Sequence, residues 1–122
     1  MASYLYCLSS ENTRKYNQRK LGVTICPHSR LRTYNTGDAP IPGNQKKYDG
    51  IWKIQGDGYI LEKILHSKFH YARQKGPTGN YTEWFEIPLE DVAAFLNNQP
   101  WTICQLTLED IQEIHKKSEK AE

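Results

Sequence analysis

Cysteine is sparse and long apolar stretches are missing, and each lack excludes something. Cys7, Cys26 and Cys104 are odd in number, far apart and never in a C-x-x-C pair, so neither a disulfide framework nor a structural zinc site is indicated. Free, buried thiols are expected instead. No apolar run approaches the roughly 18 residues of a membrane-spanning helix. The start, Met-Ala-Ser-Tyr-Leu-Tyr, has neither the basic nor the long apolar region of a signal peptide. An intracellular protein of cytoplasm or nucleus is therefore expected, whether cellular, viral or phage-encoded. The chain also lacks internal repeats and low-complexity linkers. Gly56-Asp57-Gly58 falls short of both common nucleotide-binding glycine patterns and reads as a turn with a helix cap.

What is present is the composition of one ordinary globular unit. A chain of 122 residues can bury about two-thirds of its unfolded surface but is too short for two independent cores. Its charge is unevenly placed. Residues 1–76 hold 13 Lys and Arg against 5 Asp and Glu, whereas residues 77–122 hold 3 against 9. Such a split suits a polyanion facing the first two-thirds of the chain.

Tyr4–Leu8 and Leu21–Ile25 read as two strands of a β-hairpin joined by a long connection, Ser9–Arg19. That connection carries Arg14, Lys15 and Arg19 and is expected to be a mobile basic loop meeting a phosphate backbone. Pro27 at a first helical turn, with Leu31 and Tyr34 three apart, predicts a short helix that stops at Asn35-Thr36-Gly37. After a loop containing Pro40, Pro42 and Gly43, Tyr48–Gln55 forms a third strand. Asp57 can cap a helix in which Ile60, Leu61, Ile64, Leu65 and Phe69 make an apolar stripe, and Glu62, His66 and His70 a polar line. Gly76–Asn80 is a turn, Trp84–Ile87 a brief strand and Leu89–Leu96 a helix. After Pro100, Leu106, Leu108, Ile111 and Ile114 lie near helical spacing, before a frayed tail from Lys116.

In this order the elements resemble the GIY-YIG nuclease superfamily, and more narrowly its T5orf172 branch. The matching residues are Tyr4-Leu5-Tyr6, Lys20-Leu21-Gly22-Val23-Thr24, Arg30, Glu62 with His66, and Glu83-Trp84-Phe85. The resemblance covers about residues 4–88. It implies an α+β fold, a small three-stranded antiparallel sheet flanked by helices, with residues 1–98 as the catalytic domain and 99–122 as a helical extension. It also implies a metal-dependent DNA endonuclease, with DNA as partner, Mg²⁺ or Mn²⁺ as metal and no organic cofactor.

The implied catalytic residues are Tyr6, Lys20, Arg30 and His66, with Glu62 as metal ligand. Tyr6 would stand near the attacking water. A phenol of pKa about 10 is a poor base unless a cation lowers it, and Lys20 is the candidate. Lys20 stands where most of the superfamily has a second tyrosine, which leaves open which group takes the proton. Arg30 can hold two oxygens of a phosphate, and Glu62 a hard divalent ion. His66 is open to orienting water, carrying a proton, binding DNA or packing; His28 is a secondary candidate for the same work. Arg32, on another helical face from Arg30, would grip flanking backbone alongside Arg14, Lys15 and Arg19. Tyr34, Tyr48, Trp52, Tyr71 and Tyr81 could stack on bases or fill the core. The rival functions are a non-catalytic DNA-binding module of the same fold, and a protein-interaction domain using the acidic residues 83–122.

Overall fold

The computed structural model describes residues 2–36 and 41–120. The expected stop at Gly37 and loop residue Pro40, like Met1 and the last two residues, lie outside the described residues.

Strand β1 (Ala2–Ser9) is central, pairing antiparallel with β2 (Gln18–Thr24) on one side and β3 (Lys47–Gln55) on the other. Tyr6 stands opposite Gly22 in one ladder and Ile51 in the other. Flanked on both edges and covered on both faces, β1 is buried continuously from Leu5, which is why it reads as an apolar run rather than an alternating one. The connection to β2 is more ordered than its length suggested. It holds a helical turn, α1 (Glu11–Arg14), whose capping Ser10 hydroxyl accepts from the Thr13 amide while the Thr13 hydroxyl accepts from the Ser10 amide.

The α+β class holds, but the sheet has six strands rather than three. Strands β4 (Arg73–Lys75) and β5 (Tyr81–Glu86) extend it beyond β2, and β6 (Thr102–Gln105) extends it beyond β3, giving the all-antiparallel order β4-β5-β2-β1-β3-β6. The outer strands escape a reading by pattern for a physical reason. β4 is three polar residues long and β6 is four residues with Ile103 and Cys104 adjacent, so neither carries an apolar alternation, and both exist because a neighbouring strand offers a free edge. The segment after Pro100 is accordingly a strand followed by a helix rather than helix alone.

Helices cover both faces. On one, α3 (Gly58–Lys68) and α4 (Leu89–Asn97) bury Leu61, Leu65, Val92 and Leu96 against Leu5, Leu21, Trp52, Ile54 and Phe85. On the other, α2 (Pro27–Thr36) and α5 (Leu108–Glu119) bury Leu31 and Ile111 against Tyr6, Leu8, Tyr48 and Ile51. Each fully buried Leu, Ile or Phe contributes about 1.5–3 kcal/mol. Two polar anchors fix the layers: the Trp52 indole donates to Asn97 Oδ1 at 2.9 Å, and the Tyr48 hydroxyl donates to the Pro27 carbonyl at 2.8 Å. Asp57 caps α3 as expected, accepting from the Tyr59 amide. Among the described residues no helix is long and apolar enough to cross a membrane.

Candidate active site

The ladder between β2 and β5 ends at Lys20 opposite Trp84, so the last residues of β2 have no partner on that edge. There a cleft of about 790 Å³ opens, lined by Ser3 and Tyr6 of β1, Val23 and Thr24 of β2, Arg30 and Tyr34 of α2, the start of α3 as far as Glu62, and Glu83 of β5. Close backbone approach shapes it. A Cβ on Gly58 would lie 2.7 Å from a Val23 methyl, so this glycine lets α3 begin directly against β2.

Tyr6 is buried, with its ring laid across Gly22; a Cβ there would lie 2.5 Å from the phenol oxygen and 2.7 Å from Cζ. The Tyr6 and Tyr34 hydroxyls are hydrogen-bonded at 2.5 Å, and the rings of Tyr34 and Tyr48 meet Tyr6 edge-on. Burial, then the bond to Tyr34 and the neighbouring phenols, push the Tyr6 pKa far up, while Arg30 pulls it down. Lys20 is engaged elsewhere. Its ammonium pairs with Glu83 at 3.4 Å and lies 5.5 Å from the centre of the Tyr34 ring. The cation acting on the Tyr6 phenol is Arg30, exposed at the cleft and one helical turn before Tyr34 on the same face of α2.

Glu62 is half-buried at the cleft wall. Desolvation, then repulsion from Glu83, raise its carboxyl pKa, with His66, Lys20 and Arg73 acting the other way. Two carboxylates that repel each other in one cleft suit a divalent cation. Among the described residues no set of three or more acidic, His or Cys side chains is gathered for a metal. A site of one or two carboxylates fits Mg²⁺ or Mn²⁺, which keep several waters, better than a closed protein cage.

The other expected residues are placed differently. His66 is buried outside the cleft; its Nε2–H donates to the Leu21 carbonyl at 2.8 Å and its ring packs on Phe85, so it ties α3 to β2. His28 turns its ring toward Cys26 Sγ, 3.6 Å away. Arg14 and Arg19 lie at the opposite end of β1 and share Asp49, at 3.7 and 3.4 Å. Arg14 also donates to Ser9 and Arg19 to the Ile87 carbonyl, while Lys15 is exposed. Arg32 caps α5, donating to the carbonyls of Lys117 and Ser118 at 2.9 and 3.2 Å.

Two cleft residues carry more than their sequence suggested. Tyr34 read as one of several aromatics, although its spacing of four from Arg30 does place both on one face. Glu83 stood out only as part of the Glu83-Trp84-Phe85 run, and its pairing with Lys20, 63 positions away, leaves no local trace.

Comparison with curated proteins and with solved structures finds no match. The T5orf172 domain matches residues 3–99, a span that includes every residue of the cleft, and the chain belongs to the T5orf172 domain family.

Proposed function

We propose that the protein is a metal-dependent DNA endonuclease, hydrolysing phosphodiester bonds through a GIY-YIG-like site. The observation that carries this reading is the single cleft into which Tyr6, Arg30 and Glu62 converge from three different elements. The membership in the T5orf172 family supports it.

The chain's own residues suggest how the chemistry divides. Arg30, exposed and free to move toward a ligand, pairs its planar guanidinium with two oxygens of the scissile phosphate, whose charge grows as water attacks. Tyr6 cannot serve as a free phenolate, because burial holds it protonated. It acts instead within a hydroxyl pair: Tyr6 takes a proton from the attacking water as its own passes to Tyr34 and on to solvent. The new bond joins the water oxygen to phosphorus as the bond to the 3′-oxygen breaks. Glu62, with Glu83 beside it, would hold Mg²⁺ or Mn²⁺, which when bound supplies charge stabilisation at the leaving oxygen. Lys20 keeps Glu83 in place and, through Tyr34, is a positioning residue rather than the cation that lowers the Tyr6 pKa.

A second reading, a non-catalytic DNA-binding module, is favoured by one feature: the lysine standing where the superfamily has its second tyrosine is committed to Glu83. Supercoiled plasmid incubated with Mg²⁺ decides between them. The expected result is nicking by the wild type, a loss of about 10²–10³-fold in Arg30→Ala, and comparable loss in Glu62→Ala. Nicking at the wild-type rate by both variants would refute the assigned site, and salt-sensitive DNA binding without cleavage in Mg²⁺ or Mn²⁺ would establish the binding module.

A further inference from the structure

Beyond the cleft, one pocket is built from cationic, imidazole and hydroxyl groups. It measures about 360 Å³ and is lined by Lys63, His66 and Ser67 of α3, His70 of the following turn, and Arg73 of β4. No carboxylate lines it, and among the described residues neither Lys63 nor Arg73 is ion-paired. Lys63 and Ser67 are four apart on the exposed face of α3, and His70 follows in the turn after the helix, so the three reach one pocket. Arg73 is already oriented. Its Nε donates to the Thr82 carbonyl at 2.6 Å, and its guanidinium lies 5.7 and 5.8 Å from the centres of the Tyr81 and Phe85 rings, which fixes it at the pocket wall. Forked donors beside an ammonium and a hydroxyl are the chemistry of phosphate recognition.

We propose that this pocket is a second phosphate-binding subsite, which takes a backbone phosphate of the bound nucleic acid one or two nucleotides from the bond in the cleft. The proposal rests on the reading of the cleft as a nucleic-acid site and extends it. Glu62 of the cleft and Lys63 of the pocket are consecutive, and His66, one turn after Glu62, lines the pocket, so cleft and pocket adjoin. Glu62 and Ser67 are about 8 Å apart along the helix axis at 1.5 Å per residue. A strand leaving the cleft along α3 therefore meets the pocket next. Tyr81, half-exposed with the His70 ring 4.7 Å away and the Lys75 ammonium 5.2 Å from its centre, continues the same basic surface to the sheet edge. This surface takes the role that the residue pattern suggested for Arg14, Arg19 and Arg32, whose guanidinium groups are engaged within the fold.

The test is fluorescence anisotropy of a labelled 20-base-pair duplex across a salt series, with the full chain. Lys63 and His70 are exposed, so Lys63→Ala/His70→Ala should fold; Ser67→Asp, also at an exposed position, adds a charge of the wrong sign. The double variant should bind several-fold more weakly, with the slope of log Kd against log salt reduced by about 1, the signature of one lost phosphate contact. Ser67→Asp should weaken binding further, and Lys116→Ala on α5 should bind as the wild type does. An unchanged slope and affinity in both pocket variants would overturn the subsite while leaving the cleft reading intact. Wild-type binding without cleavage, with the slope reduced in the double variant, would support the subsite and remove the nuclease. Absence of any duplex binding at low salt would overturn both.

Discussion

Gly22→Ala is the sharpest test of how the cleft is built. The added methyl would sit 2.5 Å from the Tyr6 oxygen and 2.7 Å from Cζ, against ordinary contacts of about 3.5–4.0 Å between carbons. Tyr6 cannot swing aside. It is buried, bonded to Tyr34 through its hydroxyl and boxed edge-on by the rings of Tyr34 and Tyr48. Either β1 and β2 separate locally or the phenol leaves its pocket, and overpacking of this kind costs about 1–3 kcal/mol. With a urea m-value of about 2 kcal/mol/M, a loss of about 2 kcal/mol lowers the unfolding midpoint by about 1 M at unchanged m. The cause is isolated by repeating the substitution in a Tyr6→Leu background, where the phenol is gone and the alanine should cost under about 1 kcal/mol; the two changes are then strongly non-additive. Plasmid nicking should fall in the single variant, since the Tyr6–Tyr34 hydroxyl pair is displaced. A Gly22→Ala protein that unfolds at the wild-type midpoint, or equal costs in the two backgrounds, would refute the packing argument.

Two further outcomes follow from the site electrostatics. The Glu62 carboxyl has a raised pKa in the folded state, so its ionisation opposes folding; that cost is absent below the unfolded carboxylate value of about 4.3 and appears as pH rises through the folded value. Glu62→Gln should therefore raise the melting temperature at pH 7 and leave it unchanged at pH 3.5, and identical melting at both pH values would contradict the desolvation and the Glu83 repulsion. The cysteines should separate by reactivity: hydrogen bonds from Ser29 lower the Cys26 pKa, whereas burial pushes the Cys7 thiol well up. Mass spectrometry after brief alkylation at pH 7.5 should find Cys26 modified and Cys7 untouched until urea is added, with slower labelling of Cys26 in Ser29→Ala; early modification of Cys7 would show that β1 is less tightly covered than described.

Much of the scaffold is legible because it is written in local chemistry. The apolar run at Leu5–Leu8, the Pro27 start of α2, the Asp57 cap and the Leu61/Leu65 stripe each place an element close to where it lies. Arg30, Glu62 and Tyr6 also stand in the cleft together. The partners of these residues are another matter. A lysine beside a tyrosine in a motif suggests an amine acting on a phenol, yet Lys20 pairs with Glu83 because β5 docks on β2 and brings a carboxylate within 3.4 Å. His66, one turn after Glu62, looks equally available, yet α3 rotates it inward to meet the Leu21 carbonyl.

Sequence alone determined the class of the fold, the hairpin-helix-strand-helix order and the residue types available to the cleft, since these depend on propensity and period within a few residues. Tertiary structure decided the number of strands, which cations are ion-paired and how firmly burial holds the Tyr6 proton. The reason is that edge pairing, ion pairing and desolvation depend on what lies a few ångströms away in space. The pairs Lys20–Glu83, Arg32–Lys117 and Tyr6–Tyr34, each separated by 28 or more positions, come together only when both faces of the sheet are covered.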